Sequence, residues 1–306
     1  MSPDYPHILA AIQEEVSPLL RQGKVPTYIP ELSKVSPDHF GMAIYCLDGR
    51  TFSVGDAHVK FSLQSITKLF AFALAFSREG DRVWRRVGRE PSGNPFNSLV
   101  QLEYERGIPR NPFINAGALV VTDMLASHSA PADAAVLQFA RMLADEPAID
   151  FDQAVAESER RTANRNSAIA YFMKDFGNLH NPVEAVIDAY CRQCAITMTC
   201  TELAKAGSFL AQHGTIPWNG TQILDASSAK RLNALMLTCG TYDAAGDFAY
   251  RVGLPAKSGV GGGILALVPG EAAVAVWAPG LDATGNSLAG TYALERLTTL
   301  TTHSIF

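Results

Sequence analysis

A serine and a lysine three residues apart are the first residues in this chain whose types and spacing could do chemistry. Ser65 and Lys68 form a Ser-x-x-Lys pair, and residues three apart share one face of a helix. A serine hydroxyl becomes a good nucleophile when a base takes its proton, and a neutral lysine is such a base. Burial among Phe61, Leu63 and Phe70 would lower the pKa of the lysine. The pair therefore indicates acyl transfer, with the start of the helix presenting N–H groups to an oxyanion.

The Ser-x-x-Lys pattern is weak by itself, because it occurs twice in this chain. Ser227 and Lys230 match it as well, and the serines there are predicted to cap a helix. A second motif adds weight, since Lys257-Ser258-Gly259 follows the first motif in the order used by penicillin-recognising serine enzymes. Lys257 would supply a second cation beside the serine, and the glycines after it would let the backbone approach a substrate closely.

Composition and charge exclude several classes of function. The chain has 306 residues, of which 47% are apolar and 18% charged, and its net charge is −5 without a basic cluster. These values argue against binding to nucleic acid or to anionic membranes. The N-terminus lacks the pattern of a signal peptide, and no apolar run reaches the ~18 residues of a membrane span. We therefore expect a cytoplasmic protein.

Cysteines and glycines give no sign of a cofactor. Cys191 and Cys194 form one Cys-x-x-Cys pair among five cysteines, and the seven histidines show no ligand spacing. The chain contains neither a Gly-x-Gly-x-x-Gly motif nor a phosphate-binding loop. We expect reduced thiols, no metal and no nucleotide.

Hydrophobic spacing predicts helices through the middle of the chain and strands near its two ends. Besides a helix starting at Ser65, helices are predicted over residues 7–22, 116–126, 133–144, 164–175, 182–193, 201–213, 226–238 and 286–301. Strands are predicted over residues 40–46, 51–54, 247–254, 263–268 and 272–278. Residues 88–114 are predicted to form a long, functional loop, and Asn115 is predicted to cap the helix that follows it.

This order of elements predicts an α+β fold, because strands and helices do not alternate as they do in a parallel sheet. We expect a single domain over residues 1–306. Its antiparallel sheet comes from both chain ends, about 1–64 and 241–306, and is flanked by helices. An all-helical region, about 65–240, is inserted between them. The site is expected at the junction, where Ser65 leaves the sheet.

Several stretches resemble the serine-dependent glutaminase family, in order from about residue 24 to residue 290. They are Tyr28-Ile-Pro-Glu-Leu32, Gln64-Ser65-x-x-Lys68, Glu90-Pro-Ser-Gly93, Asn111-Pro-Phe-Ile-Asn115-Ala-Gly-Ala118, Ser158-Glu159 with Arg165-Asn166, Gly240-Thr-Tyr242, and Gly253-Leu-Pro-Ala-Lys-Ser-Gly-Val-Gly-Gly-Gly263. One departure is Ala163, where many relatives have glycine. The resemblance implies a β-lactamase/serine-transpeptidase-like fold. It also implies hydrolysis of L-glutamine to L-glutamate and ammonia without a metal or organic cofactor.

The resemblance also implies which residues contact the substrate. Carried over by position, these are Tyr28, Ser65, Asn115, Glu159, Asn166, Tyr190, Tyr242 and the backbone of Val260. Glu159 would bind the ammonium group of glutamine, and the asparagines and tyrosines would bind its carboxylate. Without the resemblance, Glu159 would be predicted as solvated surface, Tyr190 as core and Tyr242 as a turn aromatic.

The implied mechanism is acyl transfer through Ser65. Lys68 accepts the serine proton, the N–H groups of Ser65 and Val260 hold the oxyanion, and Lys68 or Tyr242 passes a proton to the departing ammonia. Lys257 either transfers protons or tunes the pKa of Lys68, and the sequence leaves both roles open.

Two other readings of the sequence remain. The first is a β-lactam or peptidoglycan hydrolase on the same scaffold, which the missing export signal and the missing Ser-Asp-Asn motif disfavour. The second is a non-catalytic module that binds glutamine, which the intact Ser65, Lys68 and Lys257 disfavour. The family resemblance and the low charged fraction also predict a homo-oligomer, either a dimer or a tetramer.

Overall fold

A five-stranded antiparallel sheet lies at the centre of the computed structural model, which describes residues 3–92, 99–128 and 131–306. The strands are β1 (Gly41–Cys46), β2 (Thr51–Gly55), β3 (Phe61–Ser62), β4 (Asp150–Phe151), β5 (Ile196–Met198), β6 (Ala256–Ser258), β7 (Gly263–Val268) and β8 (Ala272–Trp277). The order across the large sheet is β2–β1–β8–β7–β6. Ile44 of β1 lies opposite Val274 of β8, so strands from the two chain ends pair directly. The predicted sheet from both chain ends is confirmed.

Helices cover both faces of this sheet. The α-helices are α1 (Tyr5–Val16), α2 (Thr67–Glu79), α3 (Val100–Tyr104), α4 (Asn115–His128), α5 (Ala132–Ala144), α6 (Gln153–Arg161), α7 (Asn164–Asp175), α8 (Val183–Cys194), α9 (Cys200–Ala211), α10 (Ala226–Cys239), α11 (Ala245–Arg251) and α12 (Leu288–Thr301). Ile264 and Ala266 belong to the core formed with α1 and α12, whereas Leu265 and Leu267 belong to the core on the side of α9. The side chains of β7 alternate between two buried faces. Both sets are therefore apolar, and the sequence of the strand is a continuous apolar run.

Helix α2 lies in the middle of the helical region, packed against α4 and α5. All of its residues from Thr67 to Phe76 are buried, as the continuous apolar run from Leu69 to Phe76 predicts. A second, small sheet with the order β3–β5–β4 leads into this helix. Phe61 of β3 pairs with Met198 of β5. The segment that precedes Ser65 is therefore held between the helical region and the large sheet.

The predicted strand at residues 247–254 is wrong, since residues 247–251 belong to helix α11 and residues 252–254 form no strand. Phe248, Tyr250 and Val252 look like an alternating strand in the sequence. In the structure, Phe248 and Val252 are one helical turn apart and buried, while Tyr250 is 90% exposed. The strand of this region is β6, which begins only at Ala256.

Two smaller predictions are also corrected, and one helix was not predicted. Helix α10 is capped by Asp225, whose side chain accepts a hydrogen bond from the Ser228 N–H, so the serines there do not form the cap. The short helix α3 lies inside the stretch predicted as a loop at residues 88–114. Residues 93–98 of that stretch, including the end of the Glu90-Pro-Ser-Gly93 motif, lie outside the described residues. Helix α6 was not predicted, because its sequence is largely polar.

Candidate active site

A cavity of about 360 Å3 lies where the Ser65 turn meets the large sheet and the helical region. Every residue that the resemblance assigns to substrate binding lines it. These residues are Tyr28, Ser65, Asn115, Glu159, Asn166, Tyr190, Tyr242 and Val260. The volume is at the lower end of the range for small-molecule sites. The structure thus brings together residues that are more than 200 positions apart in the chain.

Ser65 lies in a single 3-10 turn, Gln64–Ile66, which leads into α2. It was expected to open the α-helix itself, which begins two residues later at Thr67. Gln64 has a positive φ of 51°, and such strained backbone is typical of functional sites. The Ser65 side chain shares a hydrogen bond with Tyr242. The strained turn therefore presents the hydroxyl to the cavity.

Lys68 is buried one turn after the serine and is held by two oxygen atoms. Its Nζ donates to Asn115 Oδ1 at 2.6 Å and to the Phe113 carbonyl at 3.3 Å. Burial lowers the pKa of Lys68 to about 8, although Cys194 and Glu159 act in the opposite direction. Near neutral pH, Lys68 is therefore uncharged in a fraction of the protein molecules, and only the uncharged form can act as a base.

Asn115 does not have the predicted role of a helix cap. Its Oδ1 accepts from Lys68, while its Nδ2 donates to Asn166 Oδ1 at 3.0 Å. Tyr190 also donates its hydroxyl to Asn115 Oδ1, at 3.3 Å. The N–H groups of Phe113 and Ile114, just before α4, instead donate to Asn111 Oδ1. Asn115 therefore links the lysine to the polar wall of the cavity.

Lys257 lies on β6, completely buried. Its Nζ donates to the carbonyls of Gly240 and Ser258, at 2.9 and 2.6 Å. It also lies 4.4 Å from the centre of the Tyr242 ring, which is within the range of a cation–π contact. Burial, together with the nearby Lys68 cation, holds the pKa of Lys257 well below its usual range. The second lysine of the sequence motifs thus lies behind the tyrosine.

Tyr242 is held above this lysine in a strained conformation, with φ at 57°. Its hydroxyl donates to the Ser258 carbonyl at 3.5 Å. Burial raises the pKa of Tyr242, while the hydrogen bond with Ser65 opposes that rise. The phenol is therefore protonated at neutral pH and is in direct contact with the serine hydroxyl.

Glu159 is a buried carboxylate in the wall of the cavity, 9% exposed. Helix α6 turns it inward together with Val155, Ala156 and Ser158. Burial raises the pKa of Glu159 to about 7, opposed by a hydrogen bond from Gln64 and by the Lys68 cation. A buried carboxylate of this kind gains most from a bound cationic group.

Val260 lies in the glycine-rich turn between β6 and β7, against the backbone of the Ser65 turn. A Cβ atom on Gly259 would lie 2.4 Å from the Leu63 carbonyl oxygen, and one on Gly261 would lie 2.3 Å from that of Ser62. Only glycine allows this approach. Within the described ranges, no hydrogen bond occupies the backbone N–H of Ser65 or of Val260. These two donors are therefore available on one side of the cavity.

The cavity also contains residues that the sequence reasoning did not assign to the site. They are Ile29, Gln64, Thr162, Arg165 and Cys194. Cys194 lies four residues after Tyr190 on α8, so helical spacing could have identified it. Ala163, where many relatives have glycine, has φ −80°, a conformation that any residue adopts.

Three further features of the structure concern the cysteines, metal binding and membrane spans. All five cysteines are buried and free, which agrees with the expected thiols. Nowhere in the described parts of the chain do three or more His, Cys, Asp or Glu side chains come together in a way that could hold a metal ion. Among the same residues, no helix is both long enough and apolar enough to cross a membrane.

Comparison with known proteins identifies the family. The glutaminase family model matches residues 23–306. Over 303 residues the chain is 63% identical to the glutaminase of Ralstonia nicotianae and 61% identical to that of Paraburkholderia phytofirmans, in both cases covering 99% of this chain and 100% of the relative. Among solved structures, the probable glutaminase from Bacillus subtilis complexed with 6-diazo-5-oxo-L-norleucine is 34% identical, with a TM-score of 0.88 over 99% of this chain and 97% of that chain. This likeness confirms the β-lactamase-like α+β fold, and the chain belongs to the glutaminase family.

Proposed function

We propose that this chain hydrolyses the side-chain amide of L-glutamine, giving L-glutamate and ammonia, through an acyl-enzyme on Ser65. One observation carries the proposal: the Ser65 hydroxyl and the buried carboxyl group of Glu159 line one cavity. The buried Lys68, whose pKa is lowered, lies one helical turn after the serine and donates to Asn115 in the cavity wall. Family membership supports the same reaction and substrate.

Substrate recognition follows from the charges in the cavity. Free glutamine carries an ammonium group, a carboxylate and a neutral amide. We infer that the ammonium group binds Glu159, since this pairing relieves the cost of burying the carboxylate. The substrate carboxylate binds hydrogen-bond donors from Tyr28, Asn166 and Tyr190. These contacts place the side-chain amide at Ser65.

The acylation step begins when neutral Lys68 accepts the proton of Ser65. The serine oxygen then bonds to the amide carbon, and the electrons of the carbonyl bond move to its oxygen. The N–H groups of Ser65 and Val260 stabilise this oxyanion. When the tetrahedral intermediate collapses, the carbon–nitrogen bond breaks and ammonia leaves with a proton from Lys68 or Tyr242.

Deacylation repeats these steps with water. A water molecule attacks the acyl carbon, loses a proton to Lys68 or Tyr242, and releases L-glutamate as the proton returns to Ser65. In this scheme Lys257 lies behind Tyr242 and contacts its ring. The two rival readings, a β-lactam hydrolase and a non-catalytic glutamine-binding module, have no observation in their favour here.

The experiment measures ammonia release from L-glutamine by the wild type and by Ser65→Ala. Ser227→Ala is the matched control, because Ser227 is the exposed serine of the second Ser-x-x-Lys pattern. We expect activity with L-glutamine that disappears in folded Ser65→Ala and persists in the control. L-asparagine and a chromogenic β-lactam serve as parallel substrates. Turnover of the β-lactam alone would refute the proposal, and so would full activity of Ser65→Ala.

Three further features stand as proposals with this function. We infer that residues 1–306 form one glutaminase domain, in which the sheet part comprises about 1–64 and 241–306 and the helical part about 65–240. We also infer a cytoplasmic homo-oligomer, either a dimer or a tetramer. Light scattering of the purified protein tests the assembly state.

A further inference from the structure

The turn that carries Val260 consists mostly of glycines, whose backbone has unusual conformational freedom. Three of its four residues are Gly259, Gly261 and Gly262, and Gly262 has a φ of 92°. Glycine-rich segments have many accessible backbone conformations. An oxyanion donor contributes to catalysis only if it is already oriented when charge develops. Something must therefore hold this turn in place.

Several carbonyl groups of the turn accept hydrogen bonds, which restrict its backbone. The Gly259 carbonyl accepts from the N–H of Gly262, and the Gly262 carbonyl accepts from the N–H of Ala278, both at 3.0 Å. The Gly261 carbonyl differs, because its donor is a side chain. Trp277 Nε1 donates to it at 3.0 Å. The indole thus fixes the residue directly after Val260.

Trp277 is itself held rigidly between two other rings. It lies at the end of β8, 2% exposed. Its ring stacks on Phe61 with a centroid distance of 5.1 Å and an interplanar angle of 6°, and on His39 at 4.8 Å and 22°. Phe61 begins β3, the strand that leads to Ser65. One indole therefore connects the strand before the nucleophile with the turn that bears Val260.

We propose that Trp277 is a positioning residue for catalysis, which holds the Val260 N–H in the orientation needed for the oxyanion. This inference rests on the proposed function. Trp277 does not line the cavity, so it acts through the turn without contacting the substrate. Its loss should weaken stabilisation of the transition state and leave glutamine binding nearly unchanged.

The test is Trp277→Phe, which keeps an aromatic ring for the stack and removes the indole donor. We expect kcat for glutamine to fall about 5- to 10-fold, the effect of one net hydrogen bond, with KM changed less than about twofold. Trp218→Phe is the matched control, since Trp218 packs on Tyr45 and Lys205. Its kcat should equal that of the wild type.

A second variant, Trp277→His, keeps the test decisive if the Phe variant does not fold. The imidazole can place Nε2 where the indole nitrogen lies, so kcat should stay within about threefold of the wild type. Glutamine affinity, measured by calorimetry in the Ser65→Ala background, should be the same with and without Trp277→Phe.

Several results would overturn the inference. They are an unchanged kcat in folded Trp277→Phe, a loss that appears in KM alone, or a kcat for Trp277→His reduced tenfold or more. If the wild type released no ammonia from glutamine, the proposed function would fail and this inference with it. A wild-type kcat in Trp277→Phe, by contrast, would leave the proposed function standing.

Discussion

Replacing Glu159 by glutamine should make the protein more stable at alkaline pH while removing its affinity for substrate. The carboxyl group has a pKa of about 7 in the folded protein, raised by burial from its usual 4.5. Between these two values the unfolded chain has lost the proton and the folded protein still holds it. Stability therefore falls as pH rises through this window.

The size of the effect follows from the two pKa values. A difference of about 2.5 pH units corresponds to about 3 kcal/mol, which the wild type loses between pH 4.5 and pH 8 relative to a protein without this carboxyl. The pKa of about 7 already includes the opposing effect of the Lys68 cation. We therefore expect Glu159→Gln to gain about 3 kcal/mol in stability relative to the wild type between pH 4.5 and pH 8.

Urea unfolding at pH 4.5, 6, 7 and 8 measures this gain as a difference of differences, in which pH-independent effects of the substitution cancel. Glu157→Gln is the control, because Glu157 lies on the same helix and is exposed. Activity should change in the opposite direction to stability. We expect kcat/KM for glutamine to be at least about 30-fold lower in Glu159→Gln than in the wild type. Parallel stability curves for Glu159→Gln and the wild type would refute the claim that this carboxylate is desolvated.

Two further predictions concern Lys68 and the helical region. Asn115→Asp places a carboxylate at Lys68 Nζ, where the amide oxygen lies at 2.6 Å. It should raise the pKa of Lys68 above about 8 and shift the acidic limb of the kcat/KM–pH profile up by about 1–3 pH units; an unshifted limb would exclude Lys68 as the base. Asp123→Asn should cost about 3 kcal/mol or more in urea unfolding, because Asp123 is fully buried and pairs with Arg86 at 2.6 Å. The control is Asp81→Asn, which removes the exposed ion pair with Arg231 and should lower the free energy of unfolding by less than about 1 kcal/mol. Equal losses of stability in the two variants would contradict this reasoning.

Features that depend on local patterns were predictable from the sequence. The apolar run after Ser65 identified a buried helix, and the runs at residues 263–268 and 272–278 identified two core strands. The pairing of the chain ends followed from the order of the elements. The helix and the two strands are encoded in neighbouring residues, whereas the pairing of the chain ends is encoded in the order of the elements.

Features that depend on tertiary packing were not predictable from the residues themselves. Glu159 lies in a run of charged residues, and only the packing of α6 against the rest of the molecule turns it inward. Asn115 has the sequence position of a helix cap, and only the arrival of Lys68 from α2 gives its side chain another partner. The hydrogen bond between Trp277 and the glycine turn joins two residues on different strands and turns, and no local sequence pattern predicts their contact.

The pairing of β1 with β8 also has a consequence for synthesis on the ribosome. Cys46 lies opposite Ala272, more than 200 residues later in the chain. At ordinary elongation rates the first strand waits about 10–45 s for this partner. Until then its apolar residues are unpaired along one edge, and the chain depends on chaperones or on provisional helical packing to avoid aggregation. Ser65 emerges early, but Lys257 and Val260 emerge about 190 residues later. A nascent chain that has not yet reached Val260 therefore cannot assemble the site.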